Sequence, residues 1–447
     1  MSRRLDYPAA VDALRARGRF GISMGLERVD AILDRLDRPE RRLRGALIGG
    51  TNGKGSVVAL ALAALREAGL RVGTMPKPHL VTYRERIAIN GEPLSEQAFA
   101  AALERGLPAA DAVAARLGPP TEFEVLTAAA FAELDRAGVD LALVEVGMGG
   151  RLDATNVLDP GVAAITNVAM DHEKHLGGTL AAIGAEKAAI VKPGSLAVTG
   201  ASGRGLRPIL DRCAALAVPL RRAGGRQPYR AGLLNAGWDG LVIDVRAGGR
   251  RLPELRVGLL GGHQAANAAV AVALLDALRQ DGERRGAPLA GLDDEAIRRG
   301  FAAATWPGRL ELLRDTPAGP VLLDGAHNPA GARALAAALE DLGMRRFPLV
   351  FGAIRGKRVG PVLRALAPLG ARPVFTSVED PQALSPEDLL RAWRRHAAGG
   401  RAAGTPREAL AIAAELRAGA DQPIVVAGSL YLVGAVRGML LGVRSDA

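Results

Sequence analysis

The chain has a single cysteine, Cys213, in 447 residues, so neither an intrachain disulfide nor a cysteine-built metal centre is open to it. A reducing cytoplasm is the natural setting for such a composition. Aromatic side chains make up only 3% of the residues, which argues against the stacking platforms that bind single-stranded nucleic acid. No run approaches the roughly 18 uninterrupted apolar residues of a membrane-spanning helix. The opening Met1-Ser2-Arg3-Arg4-Leu5-Asp6 has no apolar segment behind it and does not read as a secretory signal. Internal repeats and low-complexity tails are also absent.

What is present is enough for a substantial core. Hydrophobic residues are 49% and charged residues 23% of the chain, and the length suits two or three structural units. The net charge of +11 could draw nucleic acid, an anionic membrane or a polyanionic small substrate. The arginines are scattered through alanine-rich segments, as at Arg391, Arg394 and Arg395. No basic stripe or reading motif accompanies them, so most of this charge reads as a solvated surface.

Short β-branched or leucine-rich runs alternate with longer alanine-rich stretches. Strands are expected over 44–48, 140–146, 162–167 and 195–199, and a helix over 57–68. Such alternation predicts an α/β fold with a mainly parallel sheet. The apolar run 141–144 suits a strand covered on both faces. An alanine-rich helix follows Gly261 and runs through Arg279, and the Gly-, Pro- and charge-rich segment 280–290 reads as a hinge. After Trp306-Pro307-Gly308 the alternation restarts, with strands at 320–323, 348–351, 373–375 and 422–426 and a helix over 330–342. We therefore expect a larger ATP-binding unit over 1–297 and a smaller Rossmann-like α/β unit over 298–447.

The strongest chemical signal is Gly49-Gly50-Thr51-Asn52-Gly53-Lys54-Gly55-Ser56, placed between a strand and a helix. Backbone N–H groups in such a loop can cradle phosphates, because glycine lets them approach closely. Lys54 can neutralise phosphate charge and the Ser56 hydroxyl can sit on Mg²⁺. The common form has Lys directly before Ser or Thr; here Gly55 intervenes. A glycine-rich turn without a ligand is the plain alternative. A second segment, Glu145-Val146-Gly147-Met148-Gly149-Gly150-Arg151-Leu152-Asp153-Ala154-Thr155-Asn156, puts a carboxylate at the end of a buried strand before a glycine-rich turn. Ligands of open α/β sheets bind at such strand ends. Glu145 is a hard oxygen donor of the kind Mg²⁺ takes, although a carboxylate there could also be merely solvated. Asp171-His172 follows another strand, where His172 either binds metal or caps a turn. Lys187 would by default be an exposed helical lysine. Asp324 and His327 lie in Leu323-Asp324-Gly325-Ala326-His327-Asn328-Pro329, again between a strand and a helix, but a turn so composed needs no function.

In order along the chain, these segments resemble the folylpolyglutamate synthase/dihydrofolate synthase family, a branch of the Mur ligases. The resemblance also runs through Gly25-Leu26-Glu27-Arg28-Val29, Pro78-His79-Leu80, Glu85-Arg86-Ile87 and Phe123-Glu124-Val125-Leu126-Thr127-Ala128. Gly262-His263-Gln264 with Asn267, Trp306-Pro307-Gly308-Arg309-Leu310-Glu311 and Gly428-Ser429-Leu430-Tyr431 complete it. It implies that Ser56, Glu145 and His172 hold Mg²⁺ and that Gly50, Thr51, Asn52, Gly53, Lys54, Gly55 and Ser56 hold ATP. Asn267, Arg309 and Asp324 would complete the nucleotide site across a domain interface. Lys54, Lys187 and His327 would be catalytic, Lys187 matching a lysine carbamylated in many members so as to help hold a second divalent ion. K⁺ is a further ion the family allows. His79, Phe123, Arg151 and Asp153 would contact the substrate, Phe123 at the pterin. The chain departs from the pattern at Lys77, where serine commonly precedes Pro-His-Leu, and at Ala189, where glycine is usual. It departs again at Gly356-Lys357-Arg358, which replaces an Asp-Lys-Asp associated with incoming glutamate.

The reaction the resemblance implies is addition of L-glutamate to dihydropteroate, to tetrahydrofolate, or to both, through an acyl phosphate made from ATP. The expectation is a cytoplasmic monomer acting on small molecules, with neither nucleic acid nor membrane as partner. The nearest alternative is a Mur-type ligase building cell-wall peptide on a UDP-muramoyl acceptor. A phosphate-loop switch or nucleic-acid-dependent ATPase, and a binding module without catalysis, are the readings from other classes.

Overall fold

The protein is described as a computed structural model covering residues 5–18 and 25–446. The reading of the first four residues therefore lies outside the described residues. An α/β architecture is observed, with a large, mainly parallel N-terminal sheet and a second α/β unit at the C-terminal end.

The first sheet has eight strands in the order Glu92–Pro93, Ala88–Ile89, Val72–Met75, Leu141–Glu145, Gly45–Gly49, Gly161–Ile165, Leu196–Thr199 and Leu220–Arg222. All pair in parallel except at the small hairpin on one edge. Gly45–Gly49 and Leu141–Glu145 are buried along their whole length, as unbroken apolar runs in a doubly covered sheet should be. Gly45–Gly49 sits between strands on either side, with Ile48 opposite Glu145 and Gly49 opposite Ile165. That register puts the phosphate loop, Glu145 and the 166–172 segment side by side at the carboxyl ends of three neighbouring strands. The chain crosses to the other half of the sheet there, and such a switch point leaves a crevice.

One face of the sheet is covered by helices Tyr7–Arg15, Glu27–Arg35, Glu96–Leu117 and Glu122–Arg136. The other carries helices Lys54–Glu67, Gln264–Arg284 and Asp294–Ala303, together with a three-stranded antiparallel sheet. That small sheet, Tyr229–Gly237, Gly240–Ala247 and Arg250–Val257, was not foreseen. Its signals are local: Gly248-Gly249 supplies two positive-φ residues for a two-residue hairpin turn, and Leu241, Ile243 and Val245 alternate into the core.

The C-terminal sheet runs Arg309–Leu313, Val321–Asp324, Ile424–Ala427, Pro348–Phe351, Arg372–Thr376 and Arg401–Ala403. Only its first strand is antiparallel. Separate apolar clusters fill its two faces.

Most expected elements are found within a residue or two of the expected bounds, but three differ for physical reasons. The helix after the phosphate loop starts at Lys54 rather than 57, because the left-handed Gly53 completes the turn by itself. The expected hinge at 280–290 is helical as far as Arg284. Part of its charge is paired rather than solvated, with Asp281 buried and joined to Arg285 at 2.9 Å. The expected division at 297/298 falls inside helix Asp294–Ala303. Gly300 of that helix lies against the Ala63–Ala64 backbone, where any Cβ would collide, and Phe301 is fully buried in the N-terminal core. We propose that the two units part between Ala304 and Gly308.

Candidate active site

The phosphate loop owes its shape to what presses on it. Gly53 has φ 81° and a Cβ there would run into the Asn267 amide. Gly55, the inserted glycine, lies under the Trp306 indole, whose Nε1 would be 2.5 Å from an added Cβ. Trp306 belongs to the segment that joins the two units, so the Lys-Gly-Ser spelling couples the loop to that joint. Gly55→Ala should force the indole off the helix at a cost of about 1–3 kcal/mol, the usual size of overpacking. We expect a lower melting temperature and weaker nucleotide binding by calorimetry; an unchanged protein would show that the glycine has no such duty.

Three side chains stitch the loop to the neighbouring strand end. Asn52 N–H donates to Asn167 Oδ1 at 2.9 Å, the Thr166 hydroxyl donates to the Asn52 carbonyl at 2.6 Å, and Thr51 exchanges bonds with the Ala169 backbone. Two lysine side chains then meet at one carbonyl. Lys54 Nζ and Lys187 Nζ stand 3.2 and 3.0 Å from the Gly50 oxygen. Lys187, far from being an exposed helical lysine, is buried, and burial together with the nearby Lys54 charge lowers its pKa to about 7. Lys54 also faces Glu145 Oε1 at 3.7 Å. Burial raises the pKa of Glu145, against the opposing charges of Lys54 and Arg309.

Asp171 is the meeting point of the two units. Its carboxylate takes a 2.9 Å ion pair from Lys357 and a 3.3 Å hydrogen bond from the Asn328 amide, and His327 Nε2 stands 3.7 Å away. Burial alone would raise its pKa, but His327 and Lys357 hold it well below the usual carboxylate range. Asn328 also donates to Asn52 Oδ1 at 3.0 Å, so the second unit reaches the phosphate loop directly. His327 Nδ1 faces the Gly325 carbonyl at 2.8 Å, and since a carbonyl only accepts, the ring carries a proton there. Asp324 lies buried where its strand ends. It accepts from the Leu310 and Ala326 amides at 3.0 and 2.9 Å, and burial raises its pKa against the charges of Arg309 and His263.

The donors expected for magnesium are Ser56 in the first turn of helix Lys54–Glu67, Glu145 at the end of its strand, and His172 just before helix Glu173–Leu176. Among the described residues no group of three His, Cys, Asp or Glu side chains could hold a metal alone. That fits an ion usually held by one or two protein carboxylates plus substrate phosphates. Burial and the Lys357 charge bring His172 down to about 4, so at neutral pH its ring is an uncharged donor. Glu145 is a buried carboxylate whose nearest cation is beyond hydrogen-bond length, and a metal ion would relieve its desolvation. The residues fit the ion.

The expected substrate contacts divide. Asp153 spends its carboxylate on the Met148 and Thr155 amides and the Thr155 hydroxyl, and so shapes the 147–155 turn. Arg151 is largely exposed and pairs with Glu186 at 2.9 Å. His79 accepts from Arg86 Nε at 2.9 Å and packs on the Tyr83 ring. Phe123 lies beneath the Lys77 ammonium. Asn267 reaches Gln264 and the phosphate loop, and the charge of Arg309 is felt at Glu145. Sequence reasoning gave no role to Asn328, Asp171 or Lys357, although all three lie in motifs it named. Asn-Pro at the start of a helix was the visible signal for Asn328, as an N-cap.

The chain matches the Mur ligase middle domain over residues 48–275 and the Mur ligase, glutamate ligase domain over 308–430. A dihydrofolate synthase/folylpolyglutamate synthase of Bacillus subtilis is 33% identical over 96% of this chain and 98% of its own. The chain belongs to the folylpolyglutamate synthase/dihydrofolate synthase family. A Mycobacterium tuberculosis folylpolyglutamate synthase complexed with ADP superposes with a TM-score of 0.87 at 34% identity, over 97% of this chain and 99% of the other. E. coli FolC in complex with DHPP and ADP superposes with a TM-score of 0.82 at 29% identity, over 98% of each chain. As a member of this family the protein is an ATP-dependent ligase of folate metabolism, and the cell-wall reading is not favoured. No described helix is long and apolar enough to cross a membrane.

Proposed function

We propose that this ligase joins L-glutamate to a folate-type carboxylate, acting on dihydropteroate and on tetrahydrofolate, in the crevice between the phosphate loop and the Asp324–Asn328 turn. The observation that carries the reading is the convergence of Lys54 and Lys187 on the Gly50 carbonyl beside Glu145, with Asn328 and Lys357 closing from the second unit. The ADP complexes of its relatives support ATP as the nucleotide, cradled by residues 50–56 with Asn267, Arg309 and Asp324 around it.

Amide formation in water needs an activated acyl group, so two anions must first be brought together. Lys54 would lie along the phosphates and offset the charge that opposes their approach. Ser56, Glu145 and His172 would hold Mg²⁺, which when bound neutralises charge on the transferring phosphoryl group. A second divalent ion near Lys187, and K⁺, belong to the same proposal. Glutamate, its ammonium having lost a proton to solvent, attacks the acyl carbon, and phosphate leaves with the proton shed by nitrogen. His327 and Lys357 from the second unit would close over that step and keep water from the acyl phosphate. We take the working form to be a cytoplasmic monomer on small-molecule substrates.

The test is ADP release by the purified protein with ATP, Mg²⁺ and glutamate. Release should depend on dihydropteroate or a reduced folate and be absent with a UDP-muramoyl acceptor. The opposite dependence would sink the folate reading, and comparing the two folate acceptors tells whether both steps are carried out.

A further inference from the structure

Lys77 stands where the chain departs from the usual serine, and the structure gives it an uncommon position. Its backbone N–H donates to Glu145 Oε2 at 3.3 Å, on the opposite oxygen from Lys54. Its side chain then crosses the Phe123 ring, with Nζ 3.4 Å from the ring centre. The residue is half-buried, with its ammonium walled by protein. Among the described residues no carboxylate comes within ion-pair distance of it. Asp153, across the Gly147 backbone, already spends its oxygens on its own turn.

A cation drawn partly out of water without an anion is costly, and an aromatic face returns only about 0.5–2 kcal/mol of that cost. Burial accordingly lowers the pKa of Lys77 to about 8, with Asp153 pulling the other way. The phosphates of ATP already have the loop amides and Lys54. Lys77 projects instead from the end of the neighbouring strand Val72–Met75, on the side of Glu145 away from Lys54. An anion that pairs with it there is one the phosphate loop does not already hold, and the acceptor carboxylate is the one the proposed reaction supplies. A serine hydroxyl at this position would be neutral and too short to reach over Phe123.

We propose that Lys77 is a positioning residue for the acceptor, its ammonium pairing with the carboxylate that is to be phosphorylated. One carboxylate oxygen is held and the other is left to attack. In that step an oxygen–phosphorus bond forms to the γ-phosphoryl group. The bond from that phosphorus to the β-phosphate oxygen breaks, its electron pair leaves on ADP, and no proton moves. This inference rests on the proposed acceptor chemistry and adds to it a cation that a serine in this place does not supply.

The experiment compares wild type with Lys77→Ser, Lys77→Gln and Lys77→Arg, varying acceptor and ATP separately and titrating acceptor alone by calorimetry. Lys77→Ser and Lys77→Gln should raise the acceptor KM about tenfold or more and weaken acceptor binding in parallel, about 1.4 kcal/mol. The ATP KM should stay within about twofold, and Lys77→Arg should restore most of the loss. An unchanged acceptor KM in active Lys77→Ser, or equal rises in both KM values, would overturn the proposal. A wild-type protein that turns over no folate acceptor would instead overturn the functional reading, and this inference with it. Matching circular dichroism and melting curves separate either result from misfolding.

Discussion

Lys54→Ala and Glu145→Ala should each lower ADP release by at least about 10³-fold, more than the 10²–10³ typical of losing a single preorganised donor. Each residue serves more than one part of the site. Lys54 is the cation at the head of the phosphate loop and also opposes the burial that pushes Glu145 towards its neutral form. Without Lys54, Glu145 would hold its proton more readily and be a poorer metal ligand. The two losses should therefore overlap, and the double variant should be little slower than the worse single one. Stability should behave differently from activity. Alanine is a good helix residue at the start of Lys54–Glu67, and Glu145→Ala removes a buried carboxylate that the folded chain holds at a cost. We expect Lys54→Ala to melt within a few degrees of wild type and Glu145→Ala at or above it, as for residues kept for function rather than stability. A collapse of either melting curve, or near-normal turnover, would refute these roles.

The parts of the site that could be read from sequence are those built by local rules. A glycine-rich stretch between a strand and a helix announces its own geometry, and a carboxylate at the end of an apolar run announces its depth. The parallel sheet then does the rest, because register sets Glu145 beside Ile48 and Asn167 beside the loop. What stayed hidden depends on contacts across long stretches of chain. Lys187 looked like a surface lysine until helix Leu180–Ala188 brought it under the Gly50 carbonyl. Asp171 stood out only as the neighbour of His172, yet it is Asp171 that gathers Lys357, Asn328 and His327. Asp153, expected at the substrate, also holds the turn that presents its neighbours, a duty only the folded chain reveals. The Gly-, Pro- and charge-rich 280–290 segment was read as a hinge, yet its first part is helical, because pairing such as Asp281 with Arg285 cannot be told from solvation in one dimension.

Lys187→Ala carries the second large effect, and the way activity returns should reveal what the lysine is. Its Nζ is buried 3.0 Å from the Gly50 oxygen, and its pKa is brought down to about 7 by burial and by Lys54. Near neutrality much of it is therefore free amine. A free amine can attack CO₂, forming a carbon–nitrogen bond and releasing a proton to solvent, which turns a neutral amine into a carbamate anion. In that form the residue would offer oxygens to a metal; as an ammonium it would offer charge to phosphate. The alanine variant should lose about 10² or more in turnover either way. Carbamate predicts partial rescue by formate or acetate, which replace the lost carboxylate, and none by methylammonium. Rescue by methylammonium alone would establish the cationic role. A linked effect appears in stability. Between about pH 7 and the ordinary lysine value of 10.5 the unfolded chain binds a proton that the folded chain has released, so this residue makes stability rise with pH across that window. Below pH 7 both forms are protonated and the penalty of burying the ammonium is complete. Wild type should therefore gain in melting temperature relative to Lys187→Met as pH is raised from 7 to 9, measured without bicarbonate; a constant difference would show that the buried amine keeps its proton.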